Sequence, residues 1–212
     1  MSVLVEAAVE SFGRALAAQE GGCKRVELCG SLHNGGVTPS AGLIARCTGR
    51  LLASVHVLIR PRVGSFVYDE DDVGIMMKDI LVAKELDADG VMIGALTAEG
   101  EIDIAVISEL QAVATPMKVG FHRAFDDVRD QEEALELLVS LQLDSILTTG
   151  GAKTAVEGTV KLRQLVERAG DRITIIGAGS VNAGNAAAIV RATGLRELHA
   201  SSYEGIAAAV GA

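Results

Sequence analysis

The sequence has few aromatic residues and an excess of negative charge. It contains no tryptophan, four phenylalanines and two tyrosines among 212 residues, so few rings are available for stacking on nucleic acid bases. Its formal net charge is −9, whereas nucleic acid binding depends on clusters of Lys and Arg. We therefore expect no nucleic acid partner.

Long hydrophobic runs are also missing. No apolar stretch approaches the roughly 20 residues that cross a bilayer. The N-terminal stretch MSVLVEAAVESFGR has no basic segment before its apolar residues, and Glu6 interrupts them, so it does not resemble a secretory signal. We expect no membrane partner and a cytoplasmic location.

Cysteines and linker sequences are scarce. The three cysteines, Cys23, Cys29 and Cys47, are an odd number without CxxC spacing, which argues against a disulfide framework or a structural zinc site. No proline-rich or low-complexity segment marks a boundary, so residues 1–212 are expected to form a single domain.

What the chain does have is a regular alternation of strand and helix patterns. Short runs rich in Val, Ile and Leu alternate with longer segments of helical period, and Asp103, Asp130 and Asn182 stand where helix N-caps are expected. Eight runs are predicted to be strands: VLVEAAV (3–9), RVELCG (25–30), LASVHVLIR (52–60), GVMIGAL (90–96), MKVGFH (117–122), SILTTG (145–150), ITIIGAG (173–179) and ELHAS (197–201).

Eight strand–helix units in 212 residues predict a compact (β/α)₈ TIM barrel. The alternative is an open, doubly wound sheet, but no strand is followed by GxGxxG with an acidic residue about 20 positions later. Only YEGIAAAVGA follows the eighth strand, so the final helix is expected to be short or absent.

Polar residues recur at the carboxyl ends of the predicted strands, where barrel enzymes hold their reacting groups. Glu6 and Glu27 lie within strands, and alternation points both into the barrel interior. The predicted set at this end is Glu6, Glu27, Arg60, His122, Arg123, His199, Ser201 and Ser202. Each has a structural alternative, since a strand glutamate is commonly a salt-bridge partner and Arg60 or Arg123 could be that partner. Taken together, the set favours a working pocket.

The residue types suggest acid–base chemistry on an anion. Arg60 and Arg123 are expected to fix an anionic group, while Glu27 and His122 exchange protons. The glycine-rich end GAGSVN, which contains Gly179, could hold a phosphate with Ser201 and Ser202, or it could simply allow tight strand-to-helix packing.

Six stretches together resemble the CutC family, which is linked to copper homeostasis: ELCGSLHNGGVTPS (27–40), HVLIRPRVGSFVY (56–68), GFHRAFD (120–126), ILTTGGAKTAVEG (146–158), IIGAGSVNAGN (175–185) and ELHASS (197–202). The resemblance implies a cytoplasmic TIM barrel that forms a homodimer or a higher homo-oligomer. It further implies that these residues occupy the barrel mouth: Glu6, Glu27, Arg60, Arg62, His122, Arg123, Thr148, Gly150 and His199.

The same resemblance implies copper as a ligand, but the chain departs from the family at the relevant positions. Many relatives carry cysteines shortly after the first-strand glutamate, and these have been proposed as copper ligands; here Ala8 and Val9 take their place. Some relatives have another cysteine where this chain has Val67, and only Cys29 is kept. Copper(I) prefers thiolate and thioether ligands. We therefore expect no resident metal, with copper implied by the resemblance alone.

Two functions follow as hypotheses. One is a copper homeostasis protein of the CutC type. The other is a barrel enzyme, of the lyase or isomerase kind and without a redox cofactor, that acts on a small anionic metabolite which could be phosphorylated.

Overall fold

A computed structural model describes residues 2–212 and shows one closed barrel of eight parallel strands. Each strand pairs with the next, and the eighth pairs with the first. The strands are β1 Leu4–Val9, β2 Arg25–Leu28, β3 Ser54–Leu58, β4 Gly90–Ile93, β5 Lys118–Phe121, β6 Ser145–Thr148, β7 Thr174–Gly177 and β8 Glu197–Ala200. The predicted TIM barrel is confirmed, and the open sheet is excluded.

Helices follow every strand. They are α1 Phe12–Glu20, α2 Ala41–Thr48, α3 Glu70–Glu85, α4 Ile104–Ala114, α5 Gln131–Ser140, α6 Thr159–Ala169, α7 Ala186–Thr193 and α8 Ile206–Val210. Two short 3₁₀ helices, Leu32–Asn34 and Arg123–Asp127, follow β2 and β5. Helix α8 has five residues, so the prediction of a short final helix is confirmed. Within residues 2–212, every helix is too short or too polar to cross a bilayer.

Two of the three predicted helix caps are confirmed. The side chain of Asp103 accepts a hydrogen bond from Val106 N–H, and that of Asp130 accepts from the N–H groups of the first turn of α5. The prediction for Asn182 is wrong, because α7 begins at Ala186 after Asn185. The Asn182 side chain instead closes a turn before the helix.

The core has two parts because alternate strand residues face opposite sides of the barrel wall. A large apolar cluster fills the space between strands and helices. A smaller one lies inside the barrel and comprises Cys29, Leu58, Met92, Leu147, Ile176 and Ala178. Room inside depends on glycine: a Cβ atom on Gly94 would overlap the His122 ring, and one on Gly90 would overlap His56.

Candidate functional site

The floor of the site is a buried ion-pair cluster formed by β1, β2 and β8. Glu6 is fully buried and accepts a hydrogen bond from Arg25 Nε. Arg25 also pairs with Glu197, at 2.5 Å between Nη2 and Oε2. Burial opposes ionisation of Glu6, but the charge of Arg25 and the hydrogen bond from His199 hold the pKa of its carboxyl well below the ordinary value. Glu6 is therefore a fixed negative charge.

His199 stands between two carboxyl groups. It is the cross-strand neighbour of Glu6 in the register of β1 and β8, and its Nδ1 lies 2.7 Å from Glu6 Oε1. Burial alone would lower the pKa of His199, but the hydrogen bond to Glu6 and the charge of Glu27 raise it. Because Nδ1–H donates to an ionised carboxylate, Nε2 is left facing Glu27, at 3.6 Å from Oε2.

Glu27 is a buried carboxyl group that is only partly satisfied. The residue is 3% exposed, and its Oε1 has no hydrogen-bond partner. The pKa of Glu27 is raised to about 7, mainly by burial. The charges of His199 and Arg25 lower this pKa, and the negative charge of Glu6 raises it further. A carboxyl group of this kind can hold or release a proton near neutral pH.

His122 lies immediately after β5 and is buried. Its Nδ1 accepts a hydrogen bond from Ala124 N–H at 3.1 Å, so Nε2 carries the ring proton, and Nε2 has no partner. Burial and the nearby charge of Arg60 lower the pKa of His122 to about 3. The imidazole is therefore neutral near pH 7, which favours a hydrogen-bond donor over the proton-exchanging role that the sequence suggests.

The two arginines of the site differ in exposure. Arg60 is buried and braces two loops, because Nη1 donates to Gly36 O and Nη2 to Gly64 O, each at 2.9 Å. Arg123 is half exposed, and its Nε donates to Asp126 Oδ2 at 2.9 Å. Arg60 is thus part of the framework, whereas Arg123 can move towards a ligand.

Asp126, in the 3₁₀ helix after β5, connects two loops of the site. Its carboxylate accepts hydrogen bonds from the Thr148 hydroxyl and from the backbone N–H groups of Thr149 and Gly151. It therefore ties the loop after β5 to the loop after β6 and aims Arg123. The sequence does not predict these partners of Asp126, because they lie 22 or more residues further along the chain.

A cavity of about 460 Å³ opens at the carboxyl ends of the strands. Most of the residues predicted for the site line it: Glu27, Arg60, His122, Arg123, Gly179, His199, Ser201 and Ser202. Phe66, which was not predicted from the sequence, lines the same cavity.

Four predicted residues do not line the cavity. Glu6 lies beneath it behind His199, and Thr148 is fully buried with its hydroxyl bonded to Asp126. Gly150, at φ +75°, forms the turn after β6. Arg62 turns away and pairs with Asp72 at 2.7 Å, because β3 has already ended at Leu58 and the loop leads towards α3.

The loop after β7 has the features of an anion site. Gly179 and Ser180 both have positive φ, +95° and +56°. The amide groups of Asn182 and Asn185 hold the Ser180 carbonyl at 3.1 and 2.9 Å. Within residues 2–212, the backbone N–H groups of Gly179, Ser180 and Val181 find no protein acceptor. Free N–H groups in such a loop form a concave site for anions, and Ser201 and Ser202 border the same cavity.

The structure provides weak support for a metal ion. Ligand atoms of Glu6, Glu27 and His199 lie within 4.8 Å of one another. Both oxygens of Glu6 are already engaged by Arg25 and His199, which leaves too few free donors. Cys29 also lines the cavity, but burial and the charge of Glu27 hold its pKa well above the ordinary value, so it is a thiol and not a thiolate.

Comparison with known proteins identifies relatives along nearly the whole chain. The profile of the CutC family matches residues 3–204. The chain is similar to a family protein CutC from Chromobacterium violaceum, 42% identical over 210 residues, which are 99% of this chain and 85% of the relative. It is also similar to one from Bacteroides fragilis, 45% identical over 204 residues, covering 96% and 81%. A crystal structure of a candidate copper homeostasis protein, CutC from Streptococcus agalactiae, superposes with a TM-score of 0.91 at 35% identity, covering 95% and 99%.

Proposed function

The chain belongs to the CutC family, and we propose that the cavity at the mouth of its barrel binds a small anionic metabolite and moves a proton on it. The observation that carries this proposal is the Glu27 carboxyl group. It lines the cavity, it is buried, and its Oε1 has no partner in the protein. A ligand atom is the natural partner for it.

The charge and donors around the cavity favour an anion. Arg123 is half exposed at the rim and can add a ligand to its pair with Asp126. The free N–H groups of Gly179, Ser180 and Val181 lie on the loop after β7, where a barrel commonly holds phosphate. A phosphate or carboxylate fits this donor set better than a neutral or cationic group.

Proton transfer is assigned to Glu27, supported by the groups behind it. Its Oε2 faces His199 Nε2 at 3.6 Å, and Glu6 fixes the orientation of the His199 ring. Because the pKa of Glu27 is raised to about 7, the carboxyl can act as an acid or as a base in neutral solution. The reaction class is that of a lyase or an isomerase without a redox cofactor.

A ligand screen tests the proposal. The protein is heated with a panel of phosphorylated and carboxylated metabolites, and a ligand at a hundredfold excess over its Kd should stabilise it by roughly 2.7 kcal/mol. Arg123→Ala should abolish this ligand-induced rise in the unfolding temperature. Arg129→Ala is the matched control, because Arg129 is an exposed arginine that pairs with Glu101 and does not line this cavity. The proposal is contradicted if a ligand raises the unfolding temperature of both variants equally. It is also contradicted if no anion binds.

A role in copper homeostasis is the second candidate function. It is favoured by the name of the Streptococcus agalactiae relative, which this chain resembles over 95% of its length. The residues present do not fit a copper(I) carrier, because copper(I) prefers thiolate and thioether ligands and Cys29 is the single thiol that lines the cavity. Cys23 and Cys47 are buried in the layer between strands and helices. A copper-related role would therefore act through the cavity and its ligand.

Titration with copper(I) under reducing conditions separates the two candidates. We expect no tight one-to-one binding, and the same result for Cys29→Ser. Tight one-to-one binding that Cys29→Ser abolishes would establish the protein as a copper carrier and overturn our preference.

Location and assembly are also proposed from the family resemblance. We propose a cytoplasmic protein that forms a homodimer or a higher homo-oligomer. Cell fractionation tests the first statement, and light scattering of the purified chain tests the second. A monomer at micromolar concentration contradicts the proposed assembly.

A further inference from the structure

Three residues that border the cavity each have one buried polar atom without a hydrogen-bond partner. The atoms are Glu27 Oε1, Arg60 Nε and His122 Nε2. Nearly all buried polar atoms in folded proteins are partnered, so three exceptions around one cavity call for a common explanation. Two of them, the nitrogens of Arg60 and His122, are N–H donors, because Nδ1 of His122 is already an acceptor.

The two donors belong to one wall of the cavity. Arg60 follows β3 and His122 follows β5, and Phe66 packs against both: its ring centroid lies 5.0 Å from that of His122 and 4.8 Å from Arg60 Cζ. Glu27 is on β2, on a different part of the wall. The cavity thus offers two N–H donors on one wall and a carboxyl group on another.

We propose that Arg60 and His122 form an oxyanion hole for a substrate carbonyl, and that Glu27 removes a proton from the carbon beside that carbonyl. This inference rests on the proposed function and narrows the substrate class to small anionic metabolites with an enolisable carbonyl group. A neutral imidazole that polarises a carbonyl opposite a glutamate base is an established arrangement in barrel enzymes.

The proposed step balances without a cofactor. The C–H bond breaks, its electron pair becomes the new C=C bond, and the carbonyl π pair moves onto oxygen. The Nε–H of Arg60 and the Nε2–H of His122 hold the enolate oxygen, while the proton rests on Glu27. Exchange is complete when a solvent deuteron replaces the proton on Glu27 and is returned to the same carbon. Isomerisation requires a hydroxyl group on that carbon: its O–H proton moves to the enolate oxygen, its C–O bond becomes the new carbonyl, and the proton from Glu27 is added to the former carbonyl carbon.

Access requires a small movement at the cavity wall. The three unpartnered atoms are closed off from solvent in this arrangement, so water does not satisfy them. Phe66 is partly buried, lines the cavity and lies against both Arg60 and His122. A shift of this side chain would admit a ligand to the two donors.

Matched pairs of carbonyl and alcohol compounds test the inference. The protein in D₂O is mixed with dihydroxyacetone phosphate or sn-glycerol 3-phosphate, and with further phosphorylated and carboxylated pairs, and ¹H NMR follows loss of the C–H signal beside the carbonyl. We expect tighter binding of the carbonyl member and deuterium incorporation into it. Removing one donor by His122→Leu should slow exchange by roughly 100- to 1,000-fold. His122→Gln, which restores an N–H group, should recover part of the rate, and Arg129→Ala should have no effect.

The outcomes separate this inference from the proposed function. If both members of the pairs bind equally and no carbonyl compound exchanges, the oxyanion hole is wrong while anion binding stands. If no member of any pair binds, the proposed function fails and the inference falls with it. ¹⁵N NMR of the His122 ring adds a direct check: the neutral Nε2–H form between pH 6 and 8 supports the hole, and a charged ring or the Nδ1–H form overturns it.

Discussion

At the scale of single residues, burial acts in opposite directions on the pKa values of Glu27 and His122. Both side chains line one cavity and both are about 97% buried. Burial disfavours the charged form, so it raises the pKa of a carboxyl group and lowers that of an imidazole. The pKa is raised to about 7 for Glu27 and lowered to about 3 for His122. The proton-transfer role therefore falls to the glutamate and the donor role to the histidine.

The raised pKa of Glu27 predicts a pH-dependent effect of Glu27→Gln on stability. The folded pKa of about 7 lies above the ordinary value of 4.5, so the folded state holds a proton that the unfolded state has released. The wild-type protein therefore loses stability as the pH rises from 4.5 to 7, and the variant does not. Relative to wild type, Glu27→Gln should gain up to about 3 kcal/mol across this window.

Urea unfolding at pH 5 and pH 8 measures this difference. Glu157→Gln is the control, because Glu157 is exposed and outside the cavity. Parallel stability curves for Glu27→Gln and wild type would show that Glu27 is an ordinary carboxylate.

At the scale of elements, a glycine after β4 leaves room for the His122 side chain that follows β5. Gly94 comes directly after β4, and a Cβ atom there would overlap the His122 ring. Gly74, in the second turn of α3, has nothing within 4 Å of such an atom. The same substitution should therefore have opposite effects at these two glycines.

Gly94→Ala should destabilise the protein by about 1–3 kcal/mol, because the core must shift to make room. It should also weaken anion binding, since His122 moves. Gly74→Ala should stabilise the protein by about 0.5–1 kcal/mol, because alanine is the better helix former. Thermal unfolding and the ligand screen measure both effects. A Gly94→Ala variant as stable as wild type would mean that His122 is not held where the structure places it.

Sequence patterns were sufficient for the strands and for the side chains that strands position. Alternation predicted that Glu6 and Glu27 face the barrel interior, and both do. Arg62 was expected at the mouth from the family resemblance, and it does not line the cavity because it lies in the loop after β3, which ends at Leu58, and pairs with Asp72. Arg25 was missed as a partner of Glu6 because a charged residue at the start of a strand usually faces solvent.

At the scale of the whole molecule, one buried arginine bridges the strands where the barrel closes. Closure of the ring depends on pairing between β1 and β8. Arg25, from β2, pairs with Glu6 on β1 and with Glu197 on β8. The same contacts hold Glu6 beneath His199. One ion-pair cluster therefore both links the strands that close the barrel and orients the His199 ring.

Arg25→Met should destabilise the protein by about 3–5 kcal/mol, because it leaves Glu6 buried without its opposite charge. Adding Glu6→Gln to that variant removes the uncompensated charge and should recover part of the loss. Urea unfolding of the two single variants and the double variant gives the coupling energy directly. Additive effects would show that the pair contributes little to closure.

The ionisation of Glu27 tests the central claim most directly. A pH titration followed by ¹³C NMR of the glutamate side-chain carboxyl carbons, with the Glu27 signal assigned by its loss in Glu27→Gln, reports that ionisation without requiring a known substrate. The account predicts that the pKa of Glu27 is about 7, far above that of an exposed glutamate. A Glu27 carboxyl that titrates at the ordinary value of 4.5 or below would contradict it.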